Sequence, residues 1–533
     1  MIDLIHKLIA LSAQRSPSAE ALSYQGRRMS YASLSEQVNQ LAVAYLELGT
    51  KRSDRIAIYL EKRPEAVVAM FAASAAGTVF VPVNPLLKPD QVAHILIDCD
   101  VQILVTSADR LRSLHKILPM CSELRCIIVL DSIGKTLTES AQHLIPWEQT
   151  AKMKSGIVPH RCIDTDMAAI LYTSGSTGKP KGVVLSHRNI LAGAASVAQY
   201  LNNSSADRIL ALLPFSFDYG FSQLTTAFSV GASVVLMNYL LPQDVVRILG
   251  EEKITGLAAV PPLWSQLIQL KWPSPSALHA LRYITNSGGA MPRTTLSALR
   301  KIFPDVQTYL MYGLTEAFRS SYLPPSEVDS RPDSIGKAIP GAELIVVNKA
   351  GQVCAPNEAG ELVHRGGLVA LGYWNDAKKT AERFRPVPGK LSGLTLPEIA
   401  VWSGDTVRMD EDGYLYFIGR DDDMIKVSGY RVSPLEVEEI VDRFDYVTEQ
   451  VAIGVPHPAT GQAIVLVVKQ NQEGLLDAAA IRKQCQVQLP AYLVPAYVEI
   501  TSDSLPRNAN GKIDRKLLQS QFYNFFQVDK EPL

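Results

Sequence analysis

Between residues 32 and 107 the chain switches repeatedly between two hydrophobic periods, and that switching narrows the possible folds more than any other feature. In the segment 32–49, Leu34, Val38, Leu41, Ala42 and Tyr45 recur at the 3.6-residue spacing of an amphipathic helix. RIAIYL at 55–60 then reads as a short strand, EAVVAMFAASAAG as a helix, TVFVPVN at 78–84 as a buried strand, DQVAHILIDCD as a helix, and VQILVTS at 101–107 as a strand. Strand and helix in strict alternation predict a parallel sheet covered on both faces. The pattern resumes in DRILALLPF, ASVVLMN, ITGLAAVPP and LRYITNSGG. After about residue 335 the texture changes to β runs broken by Gly, Asn or Asp (AELIVVNKAGQV, GELVHRG, EDGYLYFIGR), as in hairpins and small β-barrels. Near residue 421 it changes again. SPLEVEEIVDRF predicts a helix with Ser433 as cap, Pro434 in its first position and Glu436 in its third. VAIGVP and AIVLVVK predict strands, and AAAIRKQCQVQL a helix. A large domain (1–420) followed by a small α+β domain (421–533), tethered through the charged link GRDDDMIK, is the expected organisation.

The length of 533 residues allows a sizeable core, and 47% hydrophobic with 20% charged is ordinary globular composition. With 52 Lys and Arg against 53 Asp and Glu the formal net charge is −1. Neither nucleic acid nor an acidic membrane is expected as a partner on electrostatic grounds. The six cysteines are scattered without a CxxC pair, which supports neither a disulfide framework nor a zinc site. The first residues have no basic region before an apolar run, and no apolar run reaches membrane-spanning length. A cytoplasmic protein is expected, of undetermined oligomeric state.

The strongest chemical signal is YTSGSTGKPKG at 172–182, which follows the apolar run MAAIL. A strand opening into Gly, Ser and Thr residues supplies amides and hydroxyls that can wrap phosphate oxygens, with lysines adding charge. It is not a Walker A loop, because the glycine spacing differs and Pro180 stands where the magnesium-binding Ser or Thr would be.

This stretch resembles the phosphate loop of the AMP-forming adenylating superfamily: acyl-CoA synthetases, nonribosomal adenylation domains and luciferases. Further motifs of that superfamily follow in order: Tyr312-Gly313-Leu314-Thr315-Glu316, Ser403-Gly404-Asp405, Gly419-Arg420-Asp421-Asp422, Ser428-Gly429-Tyr430-Arg431-Val432 and Pro506-Arg507-Asn508-Ala509-Asn510-Gly511-Lys512. The resemblance spans essentially the whole chain. It implies a large N-terminal domain of two α/β subdomains plus a β-barrel-like subdomain, and a mobile C-terminal domain. It also implies ATP and Mg²⁺ as cofactors.

Residue by residue, the resemblance places Thr173, Ser174, Gly175, Ser176, Thr177, Gly178 and Lys181 around the β and γ phosphates. It places Thr315 on the α-phosphate, Glu316 on Mg²⁺, Gly288 and Tyr312 beside the adenylate, Asp405 on the ribose hydroxyls, and Arg420 on ribose or phosphate. Lys512 would bridge the acid's carboxylate and the α-phosphate in the transition state, a role that suits a mobile point charge. Without the motif, a lysine in a polar turn reads as a solvated charge. Asp422 matches the hinge about which the small domain turns, and Ser428, Gly429 and Tyr430 a path for a pantetheine thiol.

The acid is read from LPFSFDYGFSQL at 213–224. A carboxylate in an apolar pocket is costly unless a cation meets it. The resemblance implies an amino acid: Phe217 and Asp218 match the Phe-Asp of amino-acid adenylation domains, whose Asp pairs with the substrate's α-ammonium, where fatty acyl-CoA synthetases commonly have a His or neutral residue. The alternative is an Asp that caps the following helix. Tyr219, Ser222, Thr285, Ser287, Met311 and Arg319 complete the expected pocket wall. Arg319 departs from the pattern of either a proline or a fatty-acid site and is expected to point away, towards a salt bridge or a carrier. The nearest resemblances are free-standing ligases that load proline onto a carrier protein and exosortase-associated acyl-CoA ligases. The first reading, with the carrier and its phosphopantetheine arm supplied in trans, is favoured because of Asp218. The second uses CoA and a fatty or other small carboxylic acid. Oxidation of the luciferase type and a non-catalytic adenylate-binding relative are minor alternatives. The non-catalytic one is disfavoured because Glu316, Asp405, Arg420 and Lys512 are all present.

Overall fold

The computed structural model describes residues 2–131, 142–153, 158–173, 180–272, 278–389, 395–420, 425–427, 430–444, 446–457, 460–470, 477–489, 491–508 and 511–526. Three sheets organise them. The first runs, in spatial order, through Gly372–Tyr373, Lys181–Ser186, Met167–Thr173, Val79–Pro82, Arg55–Tyr59, Val101–Thr106, Cys126–Val129 and His143–Pro146. From Met167–Thr173 to His143–Pro146 every pairing is parallel, as the alternating pattern predicts. The edge is antiparallel, and its hairpin ends with Thr173 opposite Lys181.

The second sheet has a parallel centre of Ser233–Leu236, Arg208–Ala211, Gly256–Ala259, Tyr283–Asn286 and Gln307–Tyr312. Beyond Tyr312 it turns antiparallel through Ser321–Leu323 and Ser334–Ala338. The β-rich segment is therefore continuous with this sheet: Ser334–Ala338 pairs with Leu415–Arg420, which leads on to Ile399–Met409, Ala359–Gly366 and Ala342–Val347. Leu415–Arg420 is the last strand of the second sheet. Ile425–Val427 is the first of the third, whose other strands are Tyr430–Val432, Val447–His457, Gly461–Gln470 and Tyr497–Thr501. Helices Pro434–Val441, Ala478–Gln488 and Arg515–Phe522 accompany it. Ser433 caps the first of these through Leu435 N–H and donates its own hydroxyl to Ile418 O, tying the third sheet's entry to the second.

Two buried helices join the first two sheets. Pro64–Ala75 is apolar on all sides, and from Ala66 onward every residue of it is buried. A helix without a polar face must be covered all round. Its Phe71 packs 5.5 Å from Phe228 and 6.3 Å from Phe221 of helix Asp218–Val230, and Phe221 lies 5.1 Å from Phe80 of the first sheet. The first turn of Asp218–Val230 presses so closely on the preceding loop that a Cβ at Gly220 would sit 2.0 Å from Pro214 O. Only glycine fits there, and the fit sets where Asp218 points. No described helix is long and apolar enough to cross a membrane.

Candidate active site

Where the first sheet's edge meets the second sheet, the carboxylate of Glu316 lies on a short helical turn, Thr315–Ala317. Its Oε1 accepts a 2.5 Å hydrogen bond from the Tyr373 hydroxyl, and its backbone carbonyl accepts Ala370 N–H at 2.8 Å. Lys181, at the base of the hairpin that holds the glycine-rich stretch, places its Nζ 5.9 Å from the centre of the Tyr373 ring. Tyr373 thus stands between the hairpin's cation and the Glu316 carboxylate. Partial burial and then neighbouring Lys379 lower the Lys181 ammonium below the ordinary lysine range. Residues 174–179, with Ser174, Gly175, Ser176, Thr177 and Gly178, lie outside the described residues.

On the second sheet, Asp405 lies in Ile399–Met409 opposite Arg420, of which only the backbone is described. Its Oδ2 accepts the Tyr312 hydroxyl, and its N–H donates to Ser403 Oγ at 3.0 Å. Ser403 in turn donates to Leu362 O at 2.7 Å. A carboxylate offers more acceptor positions than the one that this phenol uses.

From the small domain, Lys512 is presented by a tight turn in which Asn508 N–H donates to Lys512 O at 2.8 Å and Lys512 N–H to Asn508 Oδ1 at 3.1 Å. Arg507 braces the turn from below, on Gly511 O and on Glu449, both at 3.1 Å. The Lys512 charge pulls the Asp218 carboxyl downward, after the larger effects of burial and of Arg319. Asp422, Ser428 and Gly429 lie outside the described residues, and Tyr430 is described only as strand backbone.

The expected pocket residues come together. The Tyr219 hydroxyl meets Thr285 Oγ1 at 2.5 Å, and Ser222, Met311 and Ser287 are all buried. Gly288 takes φ +84° beside the Phe217 ring. Arg319 does not point away. It lies beneath the helix with side chains only 2% exposed for Arg319 and 5% for Asp218, and its Nη1 bonds Asp218 Oδ2 at 2.8 Å. The same Nη1 reaches Phe318 O at 2.9 Å, Nη2 donates to Ser222 Oγ at 2.9 Å, and the guanidinium sits 4.7 Å over the Tyr219 ring. Thr315 Oγ1 donates to the other oxygen of Asp218 at 3.4 Å. Burial pushes the Asp218 carboxyl upward, against the pull of Arg319 and, more distantly, of Lys512. The cation that a buried Asp218 requires therefore comes from the protein itself. The alternative expectation, that Asp218 caps the helix, does not hold: Phe217 occupies the cap and Asp218 lies in the first turn.

Two features have no sequence motif behind them. Tyr373 is one; only its position across the sheet from Glu316 reveals its part. The other is helix Pro89–Asp98, which grips the base of the glycine-rich hairpin from both sides. Tyr172 donates its hydroxyl to Asp98 Oδ2, and the His94 ring meets Pro180 O at 3.2 Å.

No described group of three or more His, Cys, Asp or Glu residues could cage a metal. Glu316 fits the different habit of Mg²⁺, which takes one or two protein carboxylates and completes its shell with phosphate and water oxygens. Asp405 with Tyr312 fits a nucleoside's hydroxyl groups.

Residues 9–374 match the AMP-binding enzyme family and residues 436–512 the AMP-binding enzyme C-terminal domain. A linear gramicidin synthase of Brevibacillus parabrevis is 30% identical over 517 residues, 96% of this chain; the chain spans 10% of that relative's length. Among solved structures, the anthranilate CoA ligase AuaEII in complex with anthranoyl-AMP superposes with a TM-score of 0.87 at 25% identity, covering 98% of both chains. O-succinylbenzoate coenzyme A synthetase (MenE) from Bacillus subtilis, in complex with ATP and magnesium ion, superposes with a TM-score of 0.80 at 25% identity, covering 96% of this chain and 98% of that one.

Proposed function

The chain belongs to the AMP-binding enzyme family, and from that premise we propose that it activates a carboxylic acid as an acyl-adenylate and passes the acyl group to a pantetheine thiol. In the first half-reaction a carboxylate oxygen attacks the α-phosphorus of ATP and pyrophosphate leaves. In the second the thiol displaces AMP. Glu316, oriented by Tyr373, would hold Mg²⁺, which would offset charge on the phosphates. Asp405 and Tyr312 hold the ribose, Thr173 and Lys181 flank the departing pyrophosphate, and Thr315 contacts the α-phosphate. Lys512 donates to the carboxylate and α-phosphate oxygens as charge shifts between them, a contact that strengthens on the way to the transition state.

The single observation that carries this reading is the meeting of Thr315, whose hydroxyl bonds Asp218, with its neighbour Glu316, held by Tyr373 beside Lys181 of the glycine-rich hairpin. Acid, phosphates and metal can then share one place. Domain boundaries at 420 and 421, with Asp422 as hinge and Ser428, Gly429 and Tyr430 along the thiol's path, belong to the same proposal. So does a cytoplasmic location, supported by six free cysteines.

Two readings of the acid and thiol follow. The likeness to linear gramicidin synthase supports a small amino acid such as proline, passed to a carrier protein in natural-product biosynthesis. The likeness to CoA ligases supports transfer to CoA, and the pairing of Asp218 with Arg319 supports an acid without an α-ammonium. We adopt the second, because its support includes an observation inside the pocket. ATP–pyrophosphate exchange with the twenty amino acids beside C2 to C16 fatty acids tests the choice. Exchange with fatty acids alone is expected, and exchange with a single small amino acid alone would restore the first reading. CoA and a phosphopantetheinylated carrier protein, offered to the enzyme–adenylate complex, decide the thiol.

A further inference from the structure

The Asp218–Arg319 pair has more built around it than a chance salt bridge requires. Phe318, immediately before Arg319, takes φ +57° and ψ −47°, a backbone state that a bulky residue adopts only when its surroundings impose it. The ring of Phe318 is seated against the helix His187–Tyr200 so closely that a Cβ at Gly193 would lie 2.4 Å from it. With the ring held there, the chain reverses and delivers Arg319 beneath Asp218. The guanidinium is then fixed by Asp218, Ser222, the Phe318 carbonyl and the Tyr219 face. It cannot swing aside without breaking several contacts in a buried site. Arg319 Nε is buried and has no acceptor among the described residues.

From this arrangement, and resting on the adenylation reading above, we infer that Arg319 is a specificity-determining residue that excludes α-amino acids and selects acids whose α-position carries no charge. An α-ammonium brought to Asp218 would put a second cation on a carboxylate already paired with one, in a site too dry to screen their repulsion. The Arg319 Nε–H favours an acid with a hydrogen-bond acceptor, such as a 2-hydroxy or 2-oxo acid, because a buried donor without a partner carries a desolvation cost that an acceptor removes. The selection is by repulsion as much as by fit.

The test is pyrophosphate exchange with a matched series from C3 to C16, each chain length offered as the plain acid, the 2-hydroxy acid and the 2-amino acid. Proline, cyclopentanecarboxylic acid and tetrahydrofuran-2-carboxylic acid form a cyclic set. At the best chain length the wild-type enzyme should use the plain and 2-hydroxy acids at least about ten-fold better than the 2-amino acid. Arg319→Met should close or invert that gap, because Asp218 is then left to seek a cation. Arg319→Lys should keep it, because the charge stays. Arg319→Met leaves a buried acid unpaired and can fail to fold, so Asp218→Asn/Arg319→Met removes both charges and should discriminate in neither direction. Circular dichroism reports folding for each variant. A wild-type preference for 2-amino acids, or an unchanged ranking in folded Arg319→Met or in the double variant, overturns the inference. Silence of the wild-type enzyme with every acid is a different result: it sinks the adenylation reading and takes this inference with it.

Discussion

The nucleotide side and the acid side of the site are both built from buried carboxylates, yet they are satisfied in different ways. Asp405 accepts the neutral Tyr312 phenol on its Oδ2, while its backbone N–H is anchored on Ser403 Oγ, so the carboxylate is oriented within its strand. Asp218 is held by a guanidinium, so a ligand finds an ion pair. The first is oriented through a hydroxyl of another strand; the second is met by a buried guanidinium. Carboxylates of similar burial can thus be set in place by different chemistry, a neutral donor in one case and an ion pair in the other.

The largest effect should fall on the acid side and be one of stability. Arg319→Ala leaves Asp218 buried without its cation, a loss of about 3–5 kcal/mol. Urea denaturation should show it as a lowered midpoint with an unchanged slope. Lys512→Ala, at an exposed turn, should leave that midpoint within about 0.5 kcal/mol. It should instead lose adenylation by about 10²–10³, as removal of a transition-state donor does. Thioester formation from preformed acyl-adenylate should survive in the same variant. Normal exchange in Lys512→Ala would remove the lysine from the chemistry, and equal loss of both half-reactions would remove the domain-alternation account.

A smaller loss should follow at the metal-facing carboxylate. Tyr373→Phe deletes the phenol that orients Glu316. Partners that orient a metal's ligand are worth about ten-fold or more in metal affinity. The Mg²⁺ concentration for half-maximal exchange should rise by about that factor, with little change in the apparent affinity for the acid. An equal rise in both would mean that Tyr373 shapes the whole site and not the carboxylate alone.

The two sides also differ in how far they can be read before folding. The strand and helix order of residues 32–107 follows from hydrophobic period, because each element's burial is written in its own few residues. The glycine-rich stretch stands out by its own chemistry, whereas Glu316, Asp405 and Lys512 stand out only through the resemblance of their short motifs to those of the superfamily. For Asp218 the physical premise holds, that a buried carboxylate needs a cation, and the protein itself supplies one in Arg319. The partner lies 101 positions away, and its direction depends on the unusual backbone of Phe318 and the close approach of Gly193. Neither leaves a periodic signal. Tyr373 is silent in the sequence for the same reason: its meaning lies in a contact with Glu316 across 57 positions.

The smallest effect expected is one of pH, and it sharpens the contrast from beneath the acid side. His364 is fully buried; its Nδ1 meets Ser320 Oγ at 2.9 Å, next to Arg319, and its Nε2 has no partner among the described residues. Burial pushes its imidazolium down to about 4, and burial likewise brings His6 and His187 to about 4. In the unfolded chain a histidine titrates near 6.5. Between those values the unfolded state binds protons that the folded state refuses, so stability is complete above about pH 6.5 and falls as pH drops towards 4. Each such site contributes up to about 1.4 kcal/mol per pH unit within that window. The urea midpoint of the wild-type protein should therefore decline from pH 6.5 to 4.5, and His364→Gln, which cannot take up the proton, should decline less steeply. A variant with the same slope would mean that His364 takes up its proton as readily in the folded protein as in the unfolded chain. The Arg319 side of the site would then be open to water, and the dry, repulsive pocket argued for the acid would lose its physical basis.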